Sequence, residues 1–135
     1  MKKSIEQIAQ EDGRYKFNAI RFVYEGLGHT VRTEADESEP SEGPSGEPEP
    51  PGRSHHVSGQ ELCHGLRRLA IERWGRLAKV VLNHWGVRTT RDFGEIVYLM
   101  IRHKWMSAQP EDSIDDFNEV YDFKTIFEDQ FELDL

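Results

Sequence analysis

Hydrophobic residues recur every three or four positions through much of this chain, which is the spacing of one face of an α-helix. After Ser58 the pattern predicts a helix that ends near Gly75, with an inner face made of Leu62, Leu66, Leu69 and Ala70. Its first residues, SGQE at 58–61, have the form of a capping box, in which Ser58 and Glu61 each bond the backbone amide of the other. We therefore expect a well-defined helix start at Ser58.

Two further stripes follow this helix. The first predicts a shorter helix whose inner face is Leu77, Val80, Val81 and Trp85. The second predicts a helix that runs towards Trp105 and buries Phe93, Ile96, Val97, Met100 and Ile101. We expect the three helices between Ser58 and Trp105 to supply most of the core.

The amino-terminal part predicts two more helices. Ser4 is placed to cap a short helix that carries Ile5 and Ile8, and Asp12 is placed to cap a second. The inner face of the second helix is formed by Phe17, Ile20, Tyr24 and Leu27. Gly26 and Gly28 are expected to stop it, because glycine is a poor helix former.

Residues 35–53, ADESEPSEGPSGEPEPPGR, contain five of the six prolines, six acidic residues and no apolar residue larger than alanine outside proline. Such a segment cannot offset the entropy of ordering, so we expect a disordered, solvated insert. The flanking runs GHTVRT and SHHVSG could pair as two antiparallel strands, which would make the insert an overgrown hairpin loop.

The carboxyl-terminal part alternates acidic and aromatic residues. Ser113 with Asp116 is placed to cap one short helix, whose apolar residues Ile114, Phe117, Val120 and Tyr121 are expected to lie against the main body. Residues 124–135 form an acidic aromatic tail that either completes the fold or binds a basic groove of another protein.

These elements predict a mainly α protein, a compact bundle of about five or six short helices, with one small two-stranded antiparallel ribbon as an option. We expect residues 1–34 and 54–123 to form one domain, interrupted by the insert at 35–53 and followed by the tail at 124–135.

Charge is distributed in blocks along the 135 residues. The chain carries a net charge of -8, yet residues 53–109 hold 10 basic and 4 acidic side chains, between flanks that hold 6 and 11 before and 1 and 10 after. Two interpretations follow: the acidic ends fold back on the basic centre, or the centre is a docking face for an acidic partner. The overall negative charge disfavours general attraction to nucleic acids and anionic membranes.

Other sequence features bear on the compartment. The single cysteine, Cys63, cannot form an intramolecular disulfide, and no apolar stretch approaches the roughly 20 residues that span a bilayer. The amino terminus lacks the apolar core of a signal peptide. We therefore expect a cytoplasmic protein without membrane contact.

Three blocks, HVSGQEL, WGVRTTRDFGEIVY and DDFNEVYDF, resemble a small family of uncharacterised bacterial proteins known mainly from planctomycetes and verrucomicrobia. The resemblance spans nearly the whole chain apart from the acidic insert, which is longer here than the usual connection in that family. It implies a related fold but supplies no activity, cofactor or catalytic residue.

Residues 81–101, VLNHWGVRTTRDFGEIVYLMI, raise the question of a DNA-binding helix-turn-helix. In that motif the positions six and nine residues after the turn glycine are buried and apolar. Counted from Gly86 these are Asp92 and Glu95, whose unpaired burial would be costly. A plain helical hairpin, which buries Phe93 and Ile96 instead, is preferred.

Catalytic and metal-binding patterns are weak. None of the six histidines stands in a zinc-binding spacing, and His55, His56, Cys63 and His64 could share a metal only if the residues before the helix folded onto its start. Cys63 lies in the first turns of a helix, where the dipole and Arg67 could lower its pKa, but no base is placed to make it a nucleophile. We therefore expect no cofactor and no enzyme activity.

The preferred hypothesis is a non-catalytic protein-interaction or adaptor module with a protein partner that the sequence does not identify. The predicted contact face is either the acidic tail or the basic set Arg67, Arg68, Arg73, Arg76 and Lys79. The simpler alternative is that these cations are solvent-exposed residues of a helix and form ion pairs with the tail. The alternative function is a helix-turn-helix-like DNA-binding regulator through residues 76–104, with Arg88 and Arg91 at the nucleic acid.

Overall fold

The computed structural model describes residues 3–38, 57–110 and 112–129, with side chains from 3–32, 57–110 and 112–128. Its α-helices are α1 (Ile5–Asp12), α2 (Phe17–Ser38), α3 (Gly59–Trp74), α4 (Ala78–His84) and α5 (Thr90–Arg102). A 3₁₀ turn, Gly75–Leu77, links α3 to α4, a second spans Ile114–Phe117, and a π-helical turn spans Thr125–Asp129. The predicted mainly α bundle is confirmed, and the described residues contain no strand.

Capping residues set most of the helix starts, as the sequence predicts. Ser4, Ser58 and Ser113 each accept from a backbone amide of the first turn and form a capping box with the residue three positions later. Asp12 does not cap α2, so that prediction is wrong. It is the last residue of α1, and its carboxylate instead accepts from the backbone amide of Arg14 at 3.1 Å.

The end predicted for the second helix is also wrong. α2 continues through Gly26 and Gly28 to Ser38, so residues 28–33, expected as a ribbon strand, are helical. Their proposed partner strand falls on residues 54–59, of which 54–56 lie outside the described residues, and Gly59 already belongs to α3. The first residues of the predicted insert, 35–38, complete α2, and the remainder, 39–53, lies outside the described residues.

Glycine permits a close crossing between α2 and α3. A Cβ added at Gly65 would lie 1.9 Å from Thr30 Oγ1, and one added at Gly26 would lie 2.2 Å from Leu66 Cδ2. Thr30 is fully buried and donates its hydroxyl proton to the carbonyl of Gly26 at 2.7 Å. Gly26 therefore lies inside α2, where the absence of a side chain leaves room for Leu66 of α3.

The predicted inner face of α3 is confirmed, since Leu62, Leu66, Leu69 and Ala70 are all buried. The inner face predicted for α4 is partly wrong. Leu77 and Val80 are each 60% exposed, while Ala78 and Leu82 are fully buried in their place. The core therefore meets a different side of this short helix from the one that the apolar residues suggested.

The predicted inner face of α5 is largely confirmed: Phe93, Ile96, Val97 and Met100 are buried, and Ile101 is half-buried. Phe117, from the second 3₁₀ turn, packs between α5 and α3. A Cβ at Gly94 would lie 2.7 Å from its ring, and one at Gly59 would lie 2.9 Å from it. Thr90 Oγ1 fixes the same turn by donating to the carbonyl of Phe117 at 2.7 Å.

α5 ends in a Schellman motif, in which the Trp105 amide donates to the carbonyl of Met100 at 2.8 Å. Lys104 occupies the left-handed position that glycine usually takes there, with φ of 68°. Among the described residues, no helix has both the length and the apolarity to cross a membrane.

Candidate interaction surfaces

The five cations predicted to form a contact face do not share one surface. Arg67 and Arg73 lie six positions apart on α3, which separates them by about 120° around the helix axis. Arg68 is exposed on a third side, whereas Arg76 and Lys79 belong to the 3₁₀ turn and α4. The structure therefore divides the predicted basic face into separate neighbourhoods.

Two of these cations already meet carboxylates of the same chain. Arg73 Nη1 lies 3.0 Å from Glu25 Oε1, and its guanidinium sits 6.0 Å from the centre of the Phe22 ring. Lys79 Nζ lies 3.6 Å from Glu128 Oε2, at the carboxyl-terminal end of the described chain. Carboxylates from the acidic flanks of the sequence therefore form ion pairs with part of the basic centre.

The beginning of the predicted tail belongs to the core. Ile126 and Phe127 are buried, and the Phe127 ring packs edge-to-face on Phe123 with centroids 5.2 Å apart. Residues 124–129 therefore complete the fold at this point, while 130–135 lie outside the described residues.

A mixed basic and apolar surface lies on the outer side of α4. We call Arg76, Leu77, Val80 and His84 the α4 surface, because all four are exposed and the other three each lie three or four positions from Val80. In the described chain, the large apolar side chains that are exposed are Leu77, Val80 and Tyr24. Leu77 and Val80, two of these three side chains, therefore lie on the α4 surface together with Arg76.

The turn between α4 and α5 is buttressed by the α1–α2 connection. Gly86 takes a φ of 99°, and a Cβ there would lie 2.6 Å from the carbonyl oxygen of Arg14. The Lys16 amide donates to the carbonyl of Trp85 at 3.1 Å, and the Tyr15 hydroxyl donates to Asp92 Oδ1 at 2.6 Å. Burial and this carboxylate raise the pKa of Tyr15 above its ordinary range.

Acidic residues crowd the start of α5, where a recognition helix would approach DNA. Asp92 Oδ2 accepts from the Arg88 amide at 2.9 Å, so this carboxylate neutralises the helix end. Arg91 contacts Glu95 at 3.1 Å, Asp115 at 3.2 Å and Asn118 at 2.9 Å. A guanidinium held by three acceptors is poorly placed to bind phosphate.

Glu95 forms ion pairs with two arginines, Arg14 and Arg91. Its carboxylate accepts from Arg14 at 3.1 Å as well as from Arg91, and these hydrogen bonds lower the pKa of Glu95. Asp92 and Glu95 are thus partly exposed and paired, which avoids the cost of burying them in a helix-turn-helix register. Arg88, the other residue proposed for DNA binding, is exposed.

Cys63 is fully buried, and burial raises the pKa of its thiol to about 12. Desolvation therefore determines the direction of this shift, and the lowering that the helix dipole and Arg67 could have produced does not prevail. His64 is exposed, and its ring lies 5.7 Å from that of Tyr121, while His55 and His56 lie outside the described residues. Within the described chain, no three potential ligands are grouped to hold a metal ion.

Several separate segments of the chain form an apolar cleft that the sequence did not predict. We call it the α2–α5 cleft; it has a volume of about 620 Å³ and lies between α2, the start of α3, α5 and the loop that follows α5. Its walls include Tyr24, Val31, Leu62, Tyr98 and Trp105. Because these residues are far apart in sequence, no local pattern predicts that they meet.

Charged groups are few in this cleft. Arg32 lies on one wall, and Asp112 and Asp116 lie in the loop after α5. Burial, with a further contribution from these two carboxylates, raises the pKa of Tyr98. A mainly apolar concave surface with a few charged groups is typical of a ligand site.

Comparison with known proteins adds no family to this description: no family model, curated protein or solved structure matches the chain.

Proposed function

We propose that this protein is a non-catalytic interaction module that binds an acidic, apolar segment of another protein through the α4 surface. The observation that carries the proposal is the pair Leu77 and Val80, two aliphatic side chains that are each 60% exposed. Exposed aliphatic residues next to one another favour association, because burying them removes apolar area from water.

Charge complementarity supports an acidic partner segment. Arg76 is exposed within the surface, and His84 extends it along α4. Lys79 already holds Glu128, which shows that this part of the molecule accommodates a carboxylate. An acidic segment with apolar side chains would bury Leu77 and Val80 while its charges approach Arg76.

Site-specific photo-crosslinking tests this proposal. A photoreactive phenylalanine analogue replaces Val80 in the full chain, and a second protein carries it at Arg102, which is exposed on α5. After crosslinking in cells, mass spectrometry identifies the attached peptide. We expect a discrete adduct from position 80 that is absent from position 102, attached to a partner segment rich in acidic and apolar residues.

Matched variants separate the surface from general effects of charge. Leu77→Ser and Arg76→Ala should each weaken the purified complex, by about tenfold for the apolar residue, while Arg88→Ala removes an equivalent exposed charge and should leave it intact. The proposal fails if the two arginine variants behave alike, or if the peptide crosslinked at position 80 is basic.

DNA binding is the weaker of the two functions. Arg91 is engaged by three acceptors, and Asp92 places negative charge at the end of α5. Both features oppose contact with a phosphate backbone.

A further inference from the structure

The α2–α5 cleft is independent of the α4 surface. Its lining residues come from α2, α3, α5 and the loop after α5, and none comes from α4 or from the 3₁₀ turn before it. Its volume of about 620 Å³ falls within the range of sites that enclose small molecules. The cleft is therefore a candidate ligand site separate from the α4 surface.

Aromatic rings form one part of the cleft. Tyr24 and Trp105 meet edge-to-face with ring centroids 5.6 Å apart, and Tyr98 lies on the same lining. The indole N–H of Trp105 donates to the carbonyl of Lys3 at 2.7 Å, which anchors this ring. Anchored aromatic faces attract organic cations through the negative charge above each ring.

The charged lining residues also favour a cation. The charged side chains on its lining are two carboxylates, Asp112 and Asp116, and one guanidinium, Arg32. Each carboxylate is fixed by a turn: Asp112 accepts from the Gln109 amide at 2.8 Å, and Asp116 accepts from the Ser113 amide at 3.2 Å. An anionic ligand would meet two carboxylates held in place, whereas an ammonium group would be attracted to them.

We propose that the α2–α5 cleft binds a small organic ammonium ion with an apolar body. The apolar body lies against residues such as Val31, Leu62 and Phe117, and the ammonium group lies near Asp112, Asp116 and the aromatic rings. This site adds a small-molecule ligand to the interaction module and does not depend on the α4 surface.

Matched probes test the sign of the charge. Octylamine, 1-octanol and sodium octanoate share the same alkyl chain, and each is titrated into the full chain labelled with ¹³C at its methionine methyl groups. Met106 lines the cleft, while Met100 is fully buried in the core and serves as an internal control. We expect octylamine to shift the Met106 resonance and to bind about tenfold more tightly than octanol, with octanoate the weakest.

Gly28→Leu fills the cleft without disturbing the fold. Among the described residues, the one atom within 4 Å of a Cβ built at Gly28 is Arg32 Nη1, at the ordinary contact distance of 3.6 Å, and leucine is a better helix former than glycine. We expect this variant to melt at the same or a higher temperature and to lose octylamine binding. Unchanged binding in the stably folded variant would overturn the location of the site.

Charge removal tests the two carboxylates. Asp112→Asn with Asp116→Asn keeps an oxygen that can accept each turn hydrogen bond, and it should weaken octylamine about tenfold while leaving octanol unchanged. Asp115→Asn removes one carboxylate charge from the same region outside the cleft and should change neither affinity. An equal loss of octylamine affinity in the Asp115→Asn protein and in the double variant would overturn the role of Asp112 and Asp116.

Three further outcomes would overturn the proposal. They are binding of octanoate at least as tight as that of octylamine, the absence of any Met106 shift with all three probes, and displacement of octylamine by a capped Leu-Lys-Leu peptide that binds more tightly. The last outcome would assign the cleft to a protein segment.

Discussion

Replacing Gly65 by alanine tests whether the close crossing of α2 and α3 holds the bundle together. The new methyl group would lie 1.9 Å from Thr30 Oγ1 and 3.0 Å from Thr30 Cβ, so the helices must move apart or Thr30 must change rotamer. Overpacking of this kind costs roughly 1–3 kcal/mol, and the better helix propensity of alanine returns about 1 kcal/mol. We therefore expect Gly65→Ala to lower the free energy of unfolding by up to about 2 kcal/mol.

The same substitution should have the opposite sign once Thr30 is shortened. In a Thr30→Ala background the Oγ1 atom is absent, and the nearest remaining atom of residue 30 is its Cβ, at a distance that a small shift relieves. Gly65→Ala should then be neutral or stabilising by up to about 1 kcal/mol. The coupling between the two sites would be about 2 kcal/mol, well above the ~0.5 kcal/mol expected for independent sites.

Urea-induced unfolding of the four proteins, followed by far-UV circular dichroism, measures this cycle through the midpoint and slope of each transition. Gly28→Ala is the control, because among the described residues a Cβ there meets only the end of the Arg32 side chain and should stabilise α2. Equal losses from Gly65→Ala in both backgrounds, within about 0.5 kcal/mol, would refute the steric explanation.

Three other predictions follow from the structure. Lys104→Gly should raise the free energy of unfolding by about 0.5–1 kcal/mol in the same urea assay, because Lys104 has a φ of 68° at a position that favours glycine. The pKa of Glu95 is lower in the folded state, so its ionised carboxylate stabilises the fold at pH values above the ordinary glutamate pKa of about 4.3. This stabilisation is lost as the pH falls through the lower folded-state pKa. Glu95→Gln should therefore reduce the dependence of the free energy of unfolding on pH in this acidic range. The purified protein should not retain duplex DNA at physiological ionic strength in a mobility-shift assay, and Arg88→Ala with Arg91→Ala should change nothing; salt-dependent, sequence-selective binding abolished by that pair would contradict the interaction-module proposal.

Local patterns were sufficient to predict most of the helices. Ser4, Ser58 and Ser113 sit at starts that the capping boxes indicate, and α3 and α5 bury the faces that their periodicity indicates. A capping box and an apolar stripe over several helical turns can each be recognised from a short stretch of sequence, because the interacting residues are three or four positions apart.

Predictions failed where tertiary packing decided between local options. Gly26 resembles a helix end in sequence, yet it allows α3 to approach α2. α4 has seven residues, too few for the apolar residues to fix which side faces the core, so Leu77 and Val80 were placed wrongly. Both errors come from contacts with another helix, which a single segment does not encode.

The candidate sites depend on sequence-distant contacts to different degrees. Arg76 and Lys79 were identified from charge alone, but the exposed apolar pair beside Arg76 was not. The α2–α5 cleft combines Tyr24 with Tyr98 and Trp105, and the pairing of Arg14 with Glu95 spans 81 positions. Such arrangements emerge only when the chain is folded.

The docking of the α1–α2 connection on the α4–α5 turn has a consequence for the order of folding during synthesis. Tyr15 finds its hydrogen-bond acceptor 77 residues later, and the carbonyl of Lys3 finds its donor 102 residues later. A ribosome makes those partners long after α1 has emerged, and closing such long loops slows folding. The hydrogen bonds of Tyr15 and Lys3 are therefore among the last to form, whereas α1 can already pack on α2, the helix made directly after it.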